Sequence, residues 1–252
     1  MLKVDLNCDM GESFGPWKMG NDAEIMNFVS SVNIACGFHA GDATVMRKTA
    51  ALAFEKGRAV GAHPGYRDLQ GFGRRNMSMS PQEVSDIVLY QVSAMKGICE
   101  SMGGSLRHVK PHGALYNQAA RDPELARAIA AAVKAIDPSL VLYGLSGSQL
   151  ISEARNAGLA AASEVFADRS YQADGSLTPR SRPDALIEDT GVAVLQAVGM
   201  IKDGRVASTD GTPVNVEADT ICIHGDGANA VAFAEAINRA FSEQGVSIRP
   251  PE

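Results

Sequence analysis

Short apolar runs of about strand length recur along the chain, and polar residues gather just beyond their ends. Leu2-Lys3-Val4-Asp5-Leu6 leads to Asn7, Asp9 and Glu12, and Ser31 through Cys36 leads to His39 and Asp42. Arg58-Ala59-Val60-Gly61-Ala62 leads to His63, Arg67 and Asp68, and Arg107-His108-Val109 leads to Lys110 and His112. A stretch around Ala162 leads to Glu164, Asp168 and Arg169, and Asp219 through Ile223 leads to His224 and Asp226. Leu140 through Tyr143 reads as a further buried strand.

Helical patterns fill the intervals. Asn21 with Glu24 suggests a capped helix running to about Val29. Asp42 caps a second helix, with Val45, Thr49, Leu52, Ala53 and Phe54 on its buried face and Gly57 past its end. Ser80-Pro81-Gln82-Glu83 is a strong start signal, and Val84, Ile87, Val88, Gln91, Val92 and Met95 follow at helical spacing. Further helices are expected from Asp122 to about Ile136, from Ser148 to Asn156, from Pro183 to Ile201 and from Ala228 to about Phe241. Arg205 through Val216 reads as a small hairpin turning on Asp210-Gly211. The alternation amounts to seven βα units with no linker between them. It predicts one domain over residues 1–252, a seven-stranded parallel β/α barrel with a small β-hairpin insertion before the last strand. A doubly wound open sheet is the runner-up; it would gather its site at one switch point instead of around a rim.

In parallel α/β folds the carboxyl ends of the strands share one face, so residues distant in sequence converge there. Four of the five histidines (His39, His63, His112 and His224) stand at such ends. Asn7 and Asp9 alternate onto one strand face, which favours a functional Asp9, as a general base or cation ligand, over a solvated acid. Asp42 is explained by capping. Lys110 and His112 also share a face, and a lysine inside a barrel is costly unless it pairs or acts. His108, in register with both, reads as a deeper, hydrogen-bonded core residue. The adjacent Arg74 and Arg75 suit a carboxylate or phosphate, or simply the surface. Glu164, Asp168 and Arg169 either orient the lysine and histidines or neutralise one another. Cys8 and Cys222 read as packing thiols.

Composition narrows the class. A formal charge of -6 without any basic run argues against a nucleic-acid partner. No apolar stretch approaches the roughly 20 residues of a membrane span. The four cysteines form no CxxC pair, so a reducing, cytoplasmic setting is expected. No GxxxxGK[ST] loop is present, which excludes a P-loop nucleotide binder.

Several strings carry a resemblance to a known family. Asp5 through Gly15, Asn33 through Asp42, Gly61 through Gly65, Gly71 through Arg75, His108 through Tyr116, Glu164 through Tyr171 and Ile221 through Asp226 together resemble the LamB/YcsF family over nearly the whole chain. The resemblance implies a barrel of the glycoside hydrolase/deacetylase type. It also implies cleavage of 5-oxo-L-proline to L-glutamate, coupled to hydrolysis of ATP carried with Mg2+, as the A subunit of a multi-subunit 5-oxoprolinase with separate B and C subunits. Asp9, His39, His63, Lys110 and His112 are the expected catalytic residues. Asn7, Glu12, Arg74, Arg75, Glu164, Asp168, Arg169, His224 and Asp226 are expected around the substrate, and no residue is assigned to a metal. In that scheme phosphorylation makes the amide oxygen a leaving group, Asp9 or His63 activates water, and Lys110 with Arg74 or Arg75 stabilises phosphate charge. Two alternatives remain: a metal-dependent hydrolase or deacetylase with Asp9, His39 and His63 holding a divalent ion, and a non-catalytic subunit. On sequence alone Lys110→Met, which removes charge but keeps the stem, is expected to fold with nearly unchanged stability and to lose most activity.

Overall fold

The computed structural model describes residues 2–223 and 230–251. His224 and Asp226 lie outside the described residues.

Seven parallel strands close into a barrel: β1 (Lys3–Met10), β2 (Ser31–Ala35), β3 (Ala59–His63), β4 (Leu106–Val109), β5 (Val141–Leu145), β6 (Ala161–Phe166) and β9 (Thr220–Ile223), with β9 pairing back onto β1. The closed ring settles the architecture against the open sheet. The hairpin stands where expected, as antiparallel β7 (Arg205–Ala207) and β8 (Pro213–Asn215). Its connection is longer than a two-residue turn and is tied by Asp210, which accepts from Thr212 N and the Ser208 hydroxyl. A two-residue strand, β10 (Ser247–Ile248), adds beside β1 and was not foreseen.

Strand alternation here is inside out relative to an ordinary core. Val4, Leu6, Cys8 and Met10 of β1, and their equivalents Val32, Ile34, Val60, Val109, Val165, Ile221 and Ile223, are buried in the main apolar cluster together with the helices. The intervening residues are polar and equally buried: Asp5 and Asn7 of β1, Ser31 and Asn33 of β2, His108, Glu164 and Thr220. Register stacks them, with Asp5 opposite Thr220, Asp9 opposite Asn33 and Glu164 opposite Thr220. Buried polar groups persist mostly when their hydrogen bonds are satisfied, and among these only His108 Nδ1 is without a partner. At the amino-terminal end Asp5 accepts from the hydroxyls of Ser30, Ser31, Thr220 and Tyr143. Burial still pushes its carboxyl up, against those four hydrogen bonds.

Two helices carry much of the outer layer. Helix α3 (Pro81–Ser101) begins with the expected capping box, Ser80 and Glu83 bonding reciprocally, and buries the expected face, including Gln91. Helix α5 (Pro123–Ile136) is capped by Asp122 and packs against α3. Asp42 caps α2 (Ala43–Glu55) through Thr44 N and Val45 N. Three expectations change. The first helix is one turn, α1 (Asp22–Ile25), because the backbone leaves it so that Ser30 N can bond Leu6 O; Asn21 bonds the Glu24 side chain and caps nothing. Helix α4 (Gly113–Ala119) directly follows β4 and is too short to show periodicity. Helix α7 (Thr190–Asp203) starts at an Asp189 cap, later than Pro183. The residues before it are held as loop by bonds from Ile187 N to Asp168 O, from the Ser170 hydroxyl to Asp184 O and from Arg169 Nε to Ala185 O. Helices α6 (Gln149–Asn156) and α8 (Ala230–Glu243) match the periodic segments. No described helix is long and apolar enough to cross a membrane.

Gly61 on β3 pairs with His108 on β4. A Cβ at Gly61 would collide with His108 Nε2, so the imidazole occupies the space that any other residue would fill. Gly61→Ala is expected to lose roughly 1–3 kcal/mol, as overpacking does, read as a lowered urea midpoint. An unchanged midpoint would show that His108 moves aside freely.

Candidate active site

The inward polar column reaches the carboxyl end of the barrel at Lys110, the first residue past β4. Its backbone N–H donates to Ala62 O, prolonging the ladder with β3 and aiming the side chain inward. The ammonium is 2% exposed at the residue level. It lies 2.9 Å from Asp9 Oδ1, 2.8 Å from Glu164 Oε1, 3.1 Å from Cys222 Sγ and 3.3 Å from Asn7 Oδ1. Burial pulls the lysine pKa down, but the carboxylate of Asp9 leads an opposing set with Glu164 and holds it well above the ordinary value. Burial pushes the Cys222 thiol well up, so that sulfur is a neutral neighbour.

The carboxylates are fixed in turn. Glu164 is fully buried and accepts from Asn7 Nδ2 at 3.0 Å and from the Tyr116 hydroxyl at 2.7 Å. Asn33 Nδ2 bridges Asp9 Oδ1 and Asn7 Oδ1, and its own oxygen meets His108 Nε2 at 2.7 Å. His108 stacks on Tyr143 and is the hydrogen-bonded core residue expected; burial first, then Lys110, lowers its pKa to about 3.

Asp9 is the one member of this set that turns outward, with its side chain 14% exposed. Its Oδ2 lies 3.3 Å from His63 Nε2. His63, the last residue of β3, donates from Nδ1 to Lys110 O at 2.7 Å, and its Nε2 faces His112 Nδ1 at 2.9 Å. His112 donates from Nε2 to Phe72 O at 2.8 Å. Phe72 has φ 53°, the only described non-glycine residue with positive φ, which presents that carbonyl to the ring. His39 lies parallel to His112, with centroids 3.7 Å apart. Burial lowers both of these imidazoles well below the ordinary value, reinforced at His39 by His112 and at His112 by His63. Glu12, His39, His63 and His112 bring one donor atom each within 4.8 Å of one another. That set replaces the ion-binding trio expected from sequence: Glu12 and His112 belong to it, and Asp9 does not. The loop carrying His63 is clamped by Gln91, which bonds both Gly65 N and Gly65 O.

Above this floor opens a cavity of about 650 Å3, lined by Asp9, Glu12, His63, Arg74, Lys110, His112, Tyr116, Phe166, Arg121, Arg169, Arg180 and the Ser146–Ser148 and Asp174–Arg180 loops. Of the expected substrate contacts, Glu12, Arg74 and Arg169 line the cavity. Asn7 and Glu164 do not, because both are fully buried beneath Lys110 and serve to position it. Arg75 points elsewhere, paired with Asp68. Asp168 does not line the cavity either, and His39 is screened from it behind His112. Lys110 reaches the floor with its ammonium already facing protein acceptors. Arg169 is anchored to Thr178 O and Ala185 O, and burial lowers its pKa to about 10. Asn33, Tyr116, Gln91 and Phe72 were missed as site residues. Period-two alternation with Asn7 and Asp9 was the available signal for Asn33.

A closed parallel β/α barrel with a charged, hydrogen-bonded interior opening into a cavity at its carboxyl mouth is the architecture of a small-molecule enzyme. The LamB/YcsF family model matches residues 4–252, and the chain belongs to that family. It is 61% identical over 249 residues to the A subunit of 5-oxoprolinase from Tolumonas auensis, covering 99% of each chain. It is 55% identical over 248 residues to the Bacillus subtilis protein of the same name, covering 98% of this chain and 96% of that one. Among solved structures, the lactam utilization protein from Thermus thermophilus matches with a TM-score of 0.93 at 49% identity, covering 99% of this chain and all of that one.

The geometry revises the expectation for Lys110→Met. Removing the ammonium strands Glu164 and Asp9 as buried carboxylates, and breaking a buried pair costs about 3–5 kcal/mol. Lys110→Met is therefore expected to melt markedly lower than the parent, and adding Glu164→Gln to recover part of the loss. Additive losses in the double variant would show that the two do not interact.

Proposed function

We propose that this chain opens the lactam ring of 5-oxo-L-proline to give L-glutamate, acting as the A subunit of an ATP-hydrolysing, multi-subunit 5-oxoprolinase. The observation that carries the reading is Asp9, a carboxylate fixed by Lys110 and Asn33 on one oxygen and presented to His63 on the other, at the floor of a cavity walled by arginines. Full-length relatives at 55–61% identity named for that subunit support it, as does the structural match to a lactam utilization protein.

A five-membered lactam is a stable amide, and water attacks it poorly. Transfer of the ATP γ-phosphoryl group to the lactam oxygen makes the ring carbon electrophilic. Water then adds to that carbon, the carbon–nitrogen bond breaks as nitrogen takes a proton, and a second water hydrolyses the resulting acyl phosphate. In this scheme Asp9 Oδ2, beside His63, removes the proton from the attacking water. Arg74 and Arg169 hold the substrate carboxylate or the phosphate. Lys110 acts through Asp9, orienting it and compensating its charge. The chain carries no P-loop, so ATP and the B and C subunits complete the reaction.

Purified alone, the chain is expected to show negligible 5-oxoproline-dependent ATP hydrolysis, and the B and C subunits to restore it; coupled turnover by the isolated chain would reject the shared-site scheme. In the reconstituted complex Asp9→Asn should lower turnover by roughly a hundredfold or more, as loss of a general base does. Near-normal turnover in a folded Asp9→Asn protein would remove Asp9 from the chemistry.

A further inference from the structure

The backbone dictates the state of two histidines. His63 Nδ1 must carry a proton to satisfy Lys110 O, and His112 Nε2 must carry one to satisfy Phe72 O. In neutral rings the remaining nitrogens, His63 Nε2 and His112 Nδ1, are then both lone pairs, and they face each other at 2.9 Å. Two lone pairs at that distance repel unless a positive species lies between or beside them. A protonated ring would answer for this pair, but it does not answer for the third imidazole. His39 is 1% exposed and neither of its nitrogens has a partner in the described protein, a costly state for a buried polar group. Its Nδ1 side is backed by Gly65, where a Cβ would come within 2.5 Å, so the ring cannot retreat. Glu12 completes the group and brings an anionic oxygen.

We propose that Glu12, His39, His63 and His112 form a binding site for one transition-metal dication at the edge of the cavity. Three neutral imidazoles and a carboxylate suit Zn2+, Co2+, Ni2+ or Fe2+ better than Mg2+ or Ca2+, which prefer oxygen. One spacing agrees already: with metal–nitrogen bonds of about 2.0–2.1 Å, ligand nitrogens at right angles lie about 2.9 Å apart, as His63 Nε2 and His112 Nδ1 do. The other donors, within 4.8 Å of one another, must close in on loading, and His39 must tilt off His112. The two carbonyls are the partners that metal-bound imidazoles recurrently use for their other N–H, fixing tautomer and ring orientation. Asp9 Oδ2, beside His63 Nε2, would face a metal-held water or substrate oxygen. The inference concerns binding and stands apart from the lactam reading, since its measurements do not require turnover.

The test uses the full chain without an affinity tag. Metal content is measured after purification. Chelator-treated protein is then titrated with Zn2+ by calorimetry and with Co2+ by visible absorption, alongside Glu12→Gln and His112→Gln variants whose folding is checked by circular dichroism. Glu12 is only half-buried, so its variant remains informative if His112→Gln unfolds. The expected result is one equivalent of metal, ligand-field bands with Co2+ and higher thermal stability on loading. Loss of an outer partner alone typically weakens metal affinity 10–100-fold, so loss of Glu12 should weaken it by at least about a hundredfold. Absence of binding in the parent protein, or binding that Glu12→Gln leaves unchanged, would overturn the site and leave a proton shared between His63 and His112 as the occupant.

Discussion

One ammonium group inside the barrel sets the terms for everything around it. A lysine at this depth is tolerated only with its charge compensated and its donors satisfied, and Lys110 obtains both from Asp9 and Glu164, with Asn7 filling in. Those partners come from β1 and β6, while the lysine itself follows β4, so satisfying one cation fixes three strands relative to one another. Each partner is itself constrained: Glu164 by Tyr116 and Asn7, Asp9 by Asn33, Asn7 by Thr220, and Thr220 by Asp5. The barrel interior is therefore a continuous hydrogen-bonded column from Asp5 at one end to Asp9 at the other. Its geometry leaves Asp9 little freedom, which is what an active-site carboxylate needs if it is to be oriented before substrate arrives.

The apolar interior usual in a β/α barrel has moved outward. Both faces of the strands are buried; the helix-facing one is mostly hydrophobic, and the inner one is polar on β1, β2 and β4 and mixed on β5 and β6, where Val141, Tyr143 and Ala162 form a small apolar cluster. The helices and the outer strand faces supply the apolar burial, and the inner faces supply specificity of register. A slip of one residue in β1 would turn Asp5, Asn7 and Asp9 toward the helices and Leu6 and Cys8 into the polar column. Both errors leave buried groups unsatisfied.

Much of this was legible in the residues. Strand-length runs, their polar ends and the caps at Asp42, Ser80 and Asp122 were enough for seven βα units and a shared carboxyl face. Alternation placed Lys110 with His112 and set His108 deeper. What stayed hidden depends on three dimensions. Arg74 and Arg75 are indistinguishable in sequence, and only the turn at Phe72 sends one to the cavity and the other to Asp68. That turn uses positive φ at a phenylalanine, for which no residue signal exists. Asn7 and Glu164 looked like substrate contacts because they stand at strand ends, whereas the long stem of Lys110 folds over them. Helix α7 begins late because Arg169 and Ser170 capture the preceding backbone, a tertiary effect that local propensity does not register.

The pairing of β1 with β9 has a consequence for how the chain comes to be folded. The first strand made during synthesis finds its closing neighbour only when residues 220–223 have been made. Until then Asp5 lacks Thr220, and Asn7 and Asp9 belong to an open edge. A nascent chain holding the first five strands already contains Lys110 and Asp9, but not Glu164. Such an intermediate has good reason to stay hydrated inside, since drying it would bury an incompletely matched charge. Sealing of the interior is thus tied to arrival of the last βα unit, and the ring should close late and as one event.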